Sequence, residues 1–372
     1  MKLHLISPDI PFPPDYGGMV DVFYKIKNLH EAGVEIYLHC FEYGRGKPEA
    51  LRQYCKAVYY YPRKTGLRGL SLTLPYMMYS RRDARLLANL QKTDAPILFE
   101  GVHCAYYLSH ASLAGRLKLL RNQNLEQDYF KQLSLRPTGL FSKLYYRVEA
   151  ALLQRTEARL HAADAFMTVA LHDYDFFKKA YPDKTHVYIP SFQPYDAVCS
   201  RPGQGQYVLY QGNLGHPENI EAAMFLLTQV CGLCPDVQFV FAGKNPSEEI
   251  KAAIDVRENC SLIPNPDMDT MSQLVADAQV HVLPTFQATG LKLKLLHALF
   301  NGRHALVNEA MVAGTGIVHL CTQAETAQDF SKKIHELMAQ PFTAGMIAER
   351  EAVLLRHYNN KANARRIIEF LL

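Results

Sequence analysis

What most constrains this chain is a rhythm. Short apolar β-type runs alternate with amphipathic helical stretches, the alternation breaks once, and then it begins again. In the first half KLHLIS, VEIYLHC, AVYYY, PILFE, LKLLR and AFMTVA read as strands separated by helical segments. Parallel strands need helical crossovers, so this order predicts a parallel, doubly wound α/β sheet. Near Tyr188 the pattern gives way to IPSFQPYDAVCSRPGQGQ, rich in proline, glycine and serine, and it resumes with QYVLYQ, VQFVFAG, CSLI, QVHVLP, HALVN and GIVHL. Two Rossmann-like domains are expected, residues 1–190 and 205–350, with ligands at the carboxyl ends of their strands. The stretch from about Thr343 to Leu372 reads as helix, and its last part, about 355–372, is expected to pack back on the first domain.

Composition narrows the function. With 372 residues, 48% of them hydrophobic and 20% charged, the chain can bury a core in each domain. A formal charge of +4 suits anionic small molecules or an anionic lipid surface and falls short of a nucleic-acid footprint. The first residues, MKLHLISPDIPF, hold too short an apolar run for an export signal, and no run reaches the ~18 apolar residues of a spanning helix. Eight cysteines are scattered without zinc-site or disulfide spacing. These features lead to the expectation of a cytoplasmic protein. Cys231 and Cys234 form a C-x-x-C, but at the far end of a helical stretch, whereas a redox pair opens a helix.

Three loops carry the chemistry. After the first strand, PDIPFPPDYGG leads into MVDVFYKIKNLHEAG, where Met19, Val22, Phe23, Ile26 and Leu29 mark one helical face and Gly33 supplies a stop. Gly17 and Gly18 thus open a helix, where unpaired amides favour a phosphate or a sugar hydroxyl. The loop lacks G-x-G-x-x-G, which disfavours a nicotinamide oxidoreductase. After QVHVLP comes ATGLKLKLLHA, in which Gly290 opens a helix and Lys292 and Lys294 lie in its first turns. That pattern is suited to a doubly phosphorylated ligand. After PILFEG comes His103, and at the end of LKLLR and just beyond it come Arg121, Asn124 and Glu126, at two strand ends. The last three either bind acceptor hydroxyls or cap the next helix.

The order of these segments resembles the retaining glycosyltransferases of family 4 and their relatives. In many of those the strand and helix read G-x-G-T-R-L-K-V-L-E-A-M, and ATGLKLKLLHALFNGRHALVN falls in register with it. QYVLYQGNLGHPENIEAAMFLL is similar to the family's strand, Gly-x-Leu and Pro-Asn helix start, VQFVFAGKNPSEEIKAA to its Val-Gly-Lys/Arg-x-Pro segment, and RNQNLEQDYF to an Arg-x-His-Asn-x-Glu segment. The resemblance covers most of the chain and is strongest between Tyr207 and Asn308. It implies the GT-B fold, two Rossmann-like doubly wound domains facing across a cleft that closes on its substrates. It also implies transfer of a sugar, with retention, from a nucleoside diphosphate to a glycan or lipid-linked acceptor. Lys292 and Lys294 fall on the family's diphosphate-binding Arg and Lys, and His103 lies where many such enzymes present a histidine to the donor sugar.

Departures from the family pattern are specific. The two glutamates of the E-x7-E signature are replaced by Thr289 and His297, the second at the position that bonds the ribose. Where relatives clamp the diphosphate with Arg and Lys, QGNLGHPEN offers Asn213, which leaves Lys292, Lys294 and Lys244 to supply positive charge. These departures keep two other readings open: a silent nucleotide-sugar-binding or scaffolding protein, and a nucleotide-sugar epimerase. Asp267-Met-Asp269 and Asp173-Tyr-Asp175 match the D-x-D of metal-dependent transferases, yet Asp269 and Asp173 read as helix caps, so neither a metal nor a cofactor is expected. LRGLSLTLPYMMYSRRDARLL and LFSKLYYRVEAALLQR mix apolar, aromatic and basic residues. Each fits either a helix packed on its own sheet or a surface resting on an anionic membrane.

Overall fold

A computed structural model describes residues 1–135, 139–286 and 293–372. Seven parallel strands form the first sheet: β1 (Lys2–Ser7), β2 (Glu35–Glu42), β3 (Ala57–Pro62), β4 (Ile97–Glu100), β5 (Lys118–Asn122), β6 (Ala165–Thr168) and β7 (Thr185–Tyr188), in the order β3-β2-β1-β4-β5-β6-β7. Six more form the second: β8 (Tyr207–Asn213), β9 (Gln238–Lys244), β10 (Cys260–Pro264), β11 (Val280–Leu283), β12 (His304–Val307) and β13 (Thr322–Gln323), in the order β10-β9-β8-β11-β12-β13. Both orders reverse direction once, between β1 and β4 and between β8 and β11. At such a switch point the crossovers leave on opposite faces and open a crevice at the strands' carboxyl ends.

The chain divides into two compact units, one made of Met1–Pro194 with Tyr358–Leu372, the other of the described residues from Tyr195 to His357. In the first unit the helix Gly17–Glu31 buries Met19, Val22, Phe23, Ile26 and Leu29 against Leu3, Leu5, Ile36 and Leu38 of β1 and β2. Each such buried aliphatic side chain contributes about 1.5–3 kcal/mol. The helix ends where Gly33 takes φ 87°, a left-handed conformation glycine adopts without strain. On the same layer the helix Asn360–Glu369 adds Ala364 and Ile367, and its cap Asn359 accepts from the Ala362 amide at 3.0 Å. The other face of this sheet packs Ile6, Phe99, Leu120 and Phe166 beneath Met77, Met78, Leu153 and Phe177.

Two local expectations are corrected. GIVHL is not a strand: Gly314 and Gly316 have φ 71° and 74°, Val318–Leu320 is a 3-10 turn, and pairing with β12 starts only at Thr322. THVY, in the segment just before the chain's break in pattern, forms the edge strand β7, whose residues are half-buried or exposed and so carry no alternation to read.

Candidate functional site

In the second unit the carboxyl ends of β8 and β9 lie in register, Gly212 opposite Gly243 and Asn213 opposite Lys244. The glycines are there because the backbones approach closely: a Cβ on Gly243 would sit 1.7 Å from the Gly212 carbonyl oxygen. Just beyond, Asn213 folds the turn, its Oδ1 accepting from the Gly215 amide at 3.1 Å and its carbonyl accepting from Asn219 Nδ2 at 2.9 Å. Pro217 opens the next helix, Pro217–Phe225. Asn219 in its first turn reaches across to the helix Leu293–Asn301, where its Oδ1 accepts from Lys294 Nζ. The same ammonium lies 3.4 Å from Tyr210 Oη and 5.2 Å from the centre of that ring. Beside it Glu218 Oε1 accepts from Thr285 Oγ1 at 2.8 Å, while Asn308 clamps both backbone groups of Thr285. Asn219 thus links the Asn213 turn to Lys294 at the β8/β11 switch point, while Lys244 lies opposite Asn213 at the end of β9.

His297, one turn after Lys294, lies flat against Tyr195, ring centroids 5.6 Å apart and planes 13° apart. Burial lowers its pKa to about 4, so at neutral pH the imidazole is uncharged and offers one donor and one acceptor. The sequence candidates Thr289, Gly290 and Lys292 lie outside the described residues.

In the first unit Gly17 and Gly18 begin the helix after Tyr16, which makes no side-chain cap. The Met19 and Val20 amides bond back to the Tyr16 carbonyl at 3.0 and 2.9 Å. Gln123 closes over the turn, its Nε2 3.4 Å from the Gly18 carbonyl and its Oε1 2.8 Å from where a Cβ on Gly18 would lie.

Arg121 requires a correction. Expected at a ligand-facing edge, it is fully buried: Nε and Nη2 donate to Asp21 at 3.1 and 2.9 Å, and Nη1 and Nη2 to the carbonyls of Ile189 and Pro190 at 3.0 and 3.1 Å. Lys25 Nζ bridges Asp21 at 2.8 Å and Glu100 at 2.9 Å, which completes a neutral quartet of two acids and two bases. Burial alone would raise the Asp21 pKa, but the Arg121 and Lys25 charges hold it well below the usual range. Arg121 is therefore a fastener between β5, the first helix and the chain after β7, and its full burial keeps it from an acceptor sugar.

His103, Asn124 and Glu126 form a second group on the opposite face of that sheet. Gly101, with φ 79°, turns the chain off β4 into the short helical turn Val102–Tyr107 that carries His103. Burial, then the positive charges of Arg81 and Arg63, lower the His103 pKa to about 3, which keeps the ring neutral. Arg81, itself buried, is fixed by the carbonyls of Pro8 and Met77 at 2.9 and 2.6 Å and also acts electrostatically on Glu126. Glu126 is pushed up to about 7 by burial and by Asp173, while Asn124 hydrogen-bonds it. Asp173 is pushed up to about 6 by burial, and its Oδ2 has no hydrogen-bond partner among the described residues. Sequence reasoning missed Arg81, which sits within the apolar and basic stretch, and assigned Asp173 only as a cap.

These two acids make stability depend on pH. Their folded pKa values lie above the unfolded ones, so the folded state binds protons more tightly and the contribution is lost as pH rises from about 4 through about 7. We predict that the double variant Glu126→Gln with Asp173→Asn has the melting temperature of wild type near pH 4 and a higher one at pH 8. A parallel drop at every pH in a thermal-unfolding series would contradict this.

Both D-x-D motifs are helix starts. Asp267 rather than Asp269 is the cap of the helix Met268–Asp277, accepting from the Thr270 amide at 2.8 Å. Asp173 lies inside the first turn of the helix Leu171–Ala180, whose cap position is Ala170. Among the described residues no three His, Cys, Asp or Glu side chains gather in a metal-holding group, and no helix is long and apolar enough to cross a membrane.

No profile of a known protein family matches the chain. An uncharacterized 44.6 kDa protein in the cps region of Klebsiella pneumoniae is 26% identical over 340 residues, 86% of this chain and 85% of that one. Among solved structures, sucrose-phosphate synthase from Thermosynechococcus elongatus superposes with a TM-score of 0.69 at 12% identity, covering 99% of this chain and 97% of that one. TarM gives 0.70 at 10% identity, with 100% and 98% covered. Anabaena HepE, solved in complex with UDP and glucose, gives 0.68 at 12% identity, with 100% and 99% covered. Likeness at this identity speaks to architecture, and with two parallel sheets each reversing once the chain has the GT-B fold of these glycosyltransferases.

Proposed function

We propose that the chain is a glycosyltransferase that moves a sugar from a nucleoside diphosphate to an acceptor hydroxyl, with the second unit holding the donor. The observation that carries this reading is Lys294. It stands in the first turn of a helix at the β8/β11 switch point, oriented by Asn219 and Tyr210, and Asn219 also binds the Asn213 carbonyl. A diphosphate placed there meets an ammonium already fixed by neighbours and the positive end of a helix. In the reaction the bond from the anomeric carbon to the diphosphate oxygen breaks and a bond to the acceptor oxygen forms. The acceptor proton passes to the departing phosphate oxygen, so no carboxylate base is required. Negative charge develops on the leaving group, and Lys294 stabilises it more in the transition state than in the ground state.

His297 as a neutral ring hydrogen-bonds a ribose hydroxyl in the place of a carboxylate. In the first unit, neutral His103 and the Glu126–Asn124 pair are suited to sugar hydroxyls rather than to a charged group. The resemblance to family 4 supports retention of configuration, and the cps-region relative supports an acceptor in cell-surface polysaccharide assembly. The test is turnover with each nucleotide-sugar class and a glycan or lipid-linked acceptor. Nucleoside diphosphate released together with an acceptor heavier by one sugar is the expected result. Epimerised sugar formed without acceptor, or binding without release, would replace this reading with an epimerase or a silent binding protein.

A further inference from the structure

The helix Leu140–Arg155 is amphipathic in an unusual sense. Its second half buries Ala150, Leu152 and Leu153, but its first half turns Phe141, Leu144, Tyr145 and Val148 outward at helical spacing, with Phe141 92% exposed. Apolar stripes of this kind on a surface mark a partner. A second exposed apolar group, Leu67 at 86% and Leu72 at 94%, lies on the segment after β3. Tyr76 joins the two: its amide donates to Glu149 Oε1 at 2.7 Å, and its ring closes on Gly69, where a Cβ would lie 2.4 Å away.

The charge around this face has one sign. Lys143 and Arg147 flank the helical stripe, and Arg63, Lys64 and Arg68 flank the leucines. From Arg63 to Arg82 the sequence contains no acid. In the helix, Glu149 is buried and turned inward on Tyr76, while Asp128 of the adjoining helix is paired with Lys131 at 3.4 Å and Asp83 with Arg85 at 2.6 Å. A second copy of the chain is a poor occupant, because a two-fold interface would set the same cationic rows against each other. An anionic bilayer satisfies both features, the apolar side chains entering the acyl boundary and the cations meeting headgroups.

We infer that this face of the first unit, built from the start of the Leu140–Arg155 helix and the 66–74 segment, is a docking surface for an anionic lipid membrane. It rests on none of the groups assigned to sugar transfer, so vesicle binding and turnover succeed or fail separately. The experiment is co-sedimentation of the full chain with vesicles of phosphatidylcholine alone and with about 30% phosphatidylglycerol. Binding to the anionic vesicles at least tenfold tighter than to the neutral ones, and weakened by salt, is expected. Phe141→Asp with Leu72→Asp, and separately Lys143→Glu with Arg147→Glu, each lower it at least tenfold while circular dichroism and melting stay those of wild type. Leu72, Phe141 and Arg147 are exposed and Lys143 is half-buried, and none of the four lies in the core. Absence of binding to anionic vesicles, unchanged binding by both folded variants, or a dimer that Phe141→Asp dissociates while vesicles stay unbound would overturn the inference.

Discussion

Replacing Asp21 with alanine is expected to lower the unfolding free energy of the first unit by about 3–5 kcal/mol. The carboxylate accepts from Arg121, Lys25 and the Phe192 amide at 2.7 Å in the interior, and from half-buried Gln123 at 3.3 Å. Its loss leaves two buried cations facing one acid, Glu100, and strands a buried amide. Asp21→Asn keeps the volume and removes the charge, so it recovers only part of the loss. The double variant Asp21→Asn with Arg121→Met is less destabilised than the sum of its single variants, since the guanidinium left unpaired by the first change is removed by the second. Denaturant unfolding of the four proteins checks the prediction. Strict additivity would mean that Asp21 and Arg121 do not act as one group.

Lys294→Ala is expected to weaken nucleotide-sugar affinity at least tenfold, the equivalent of about 1.5–3 kcal/mol for one shielded charge-assisted contact to phosphate. The fall in kcat/KM exceeds the fall in affinity, because the diphosphate gains charge as it leaves. Lys294→Arg keeps charge but not the fit between Asn219 and Tyr210, and recovers part of the affinity. Asn219→Ala loosens the ammonium and also frees the Asn213 carbonyl, with a smaller effect on affinity. None of these changes empties the core, so melting temperatures stay close to wild type. Isothermal titration together with steady-state rates separates the two effects. A Lys294→Ala protein that binds and turns over like wild type would remove the diphosphate from this helix.

Much of the architecture was legible because it is local. Alternating apolar runs, the single break near Tyr188 and the glycine-led first helix all lie within short windows of sequence, and they led to two doubly wound sheets. What escaped was written between distant residues. Arg121 ends a strand, a position that reads as ligand-facing, and only the fold brings Asp21 from the first helix onto it. Lys294 was legible as a cation at a helix start, but Asn219, which aims it, comes from the far side of the switch point. Arg81 was hidden in a stretch whose leucines and basic residues read as one amphipathic surface, although the chain turns that single arginine inward. GIVHL failed for a local reason: its apolar content matches a strand, while Gly316 within it and Gly314 just before it take positive φ and break the extended run.

The most direct test of the central claim, that the second unit holds a nucleoside diphosphate sugar, is a calorimetric titration of the chain with UDP-, GDP-, dTDP- and ADP-sugars in turn. Saturable one-to-one binding of one nucleotide class is the predicted result, and it names the donor. The absence of binding by all four would contradict the account.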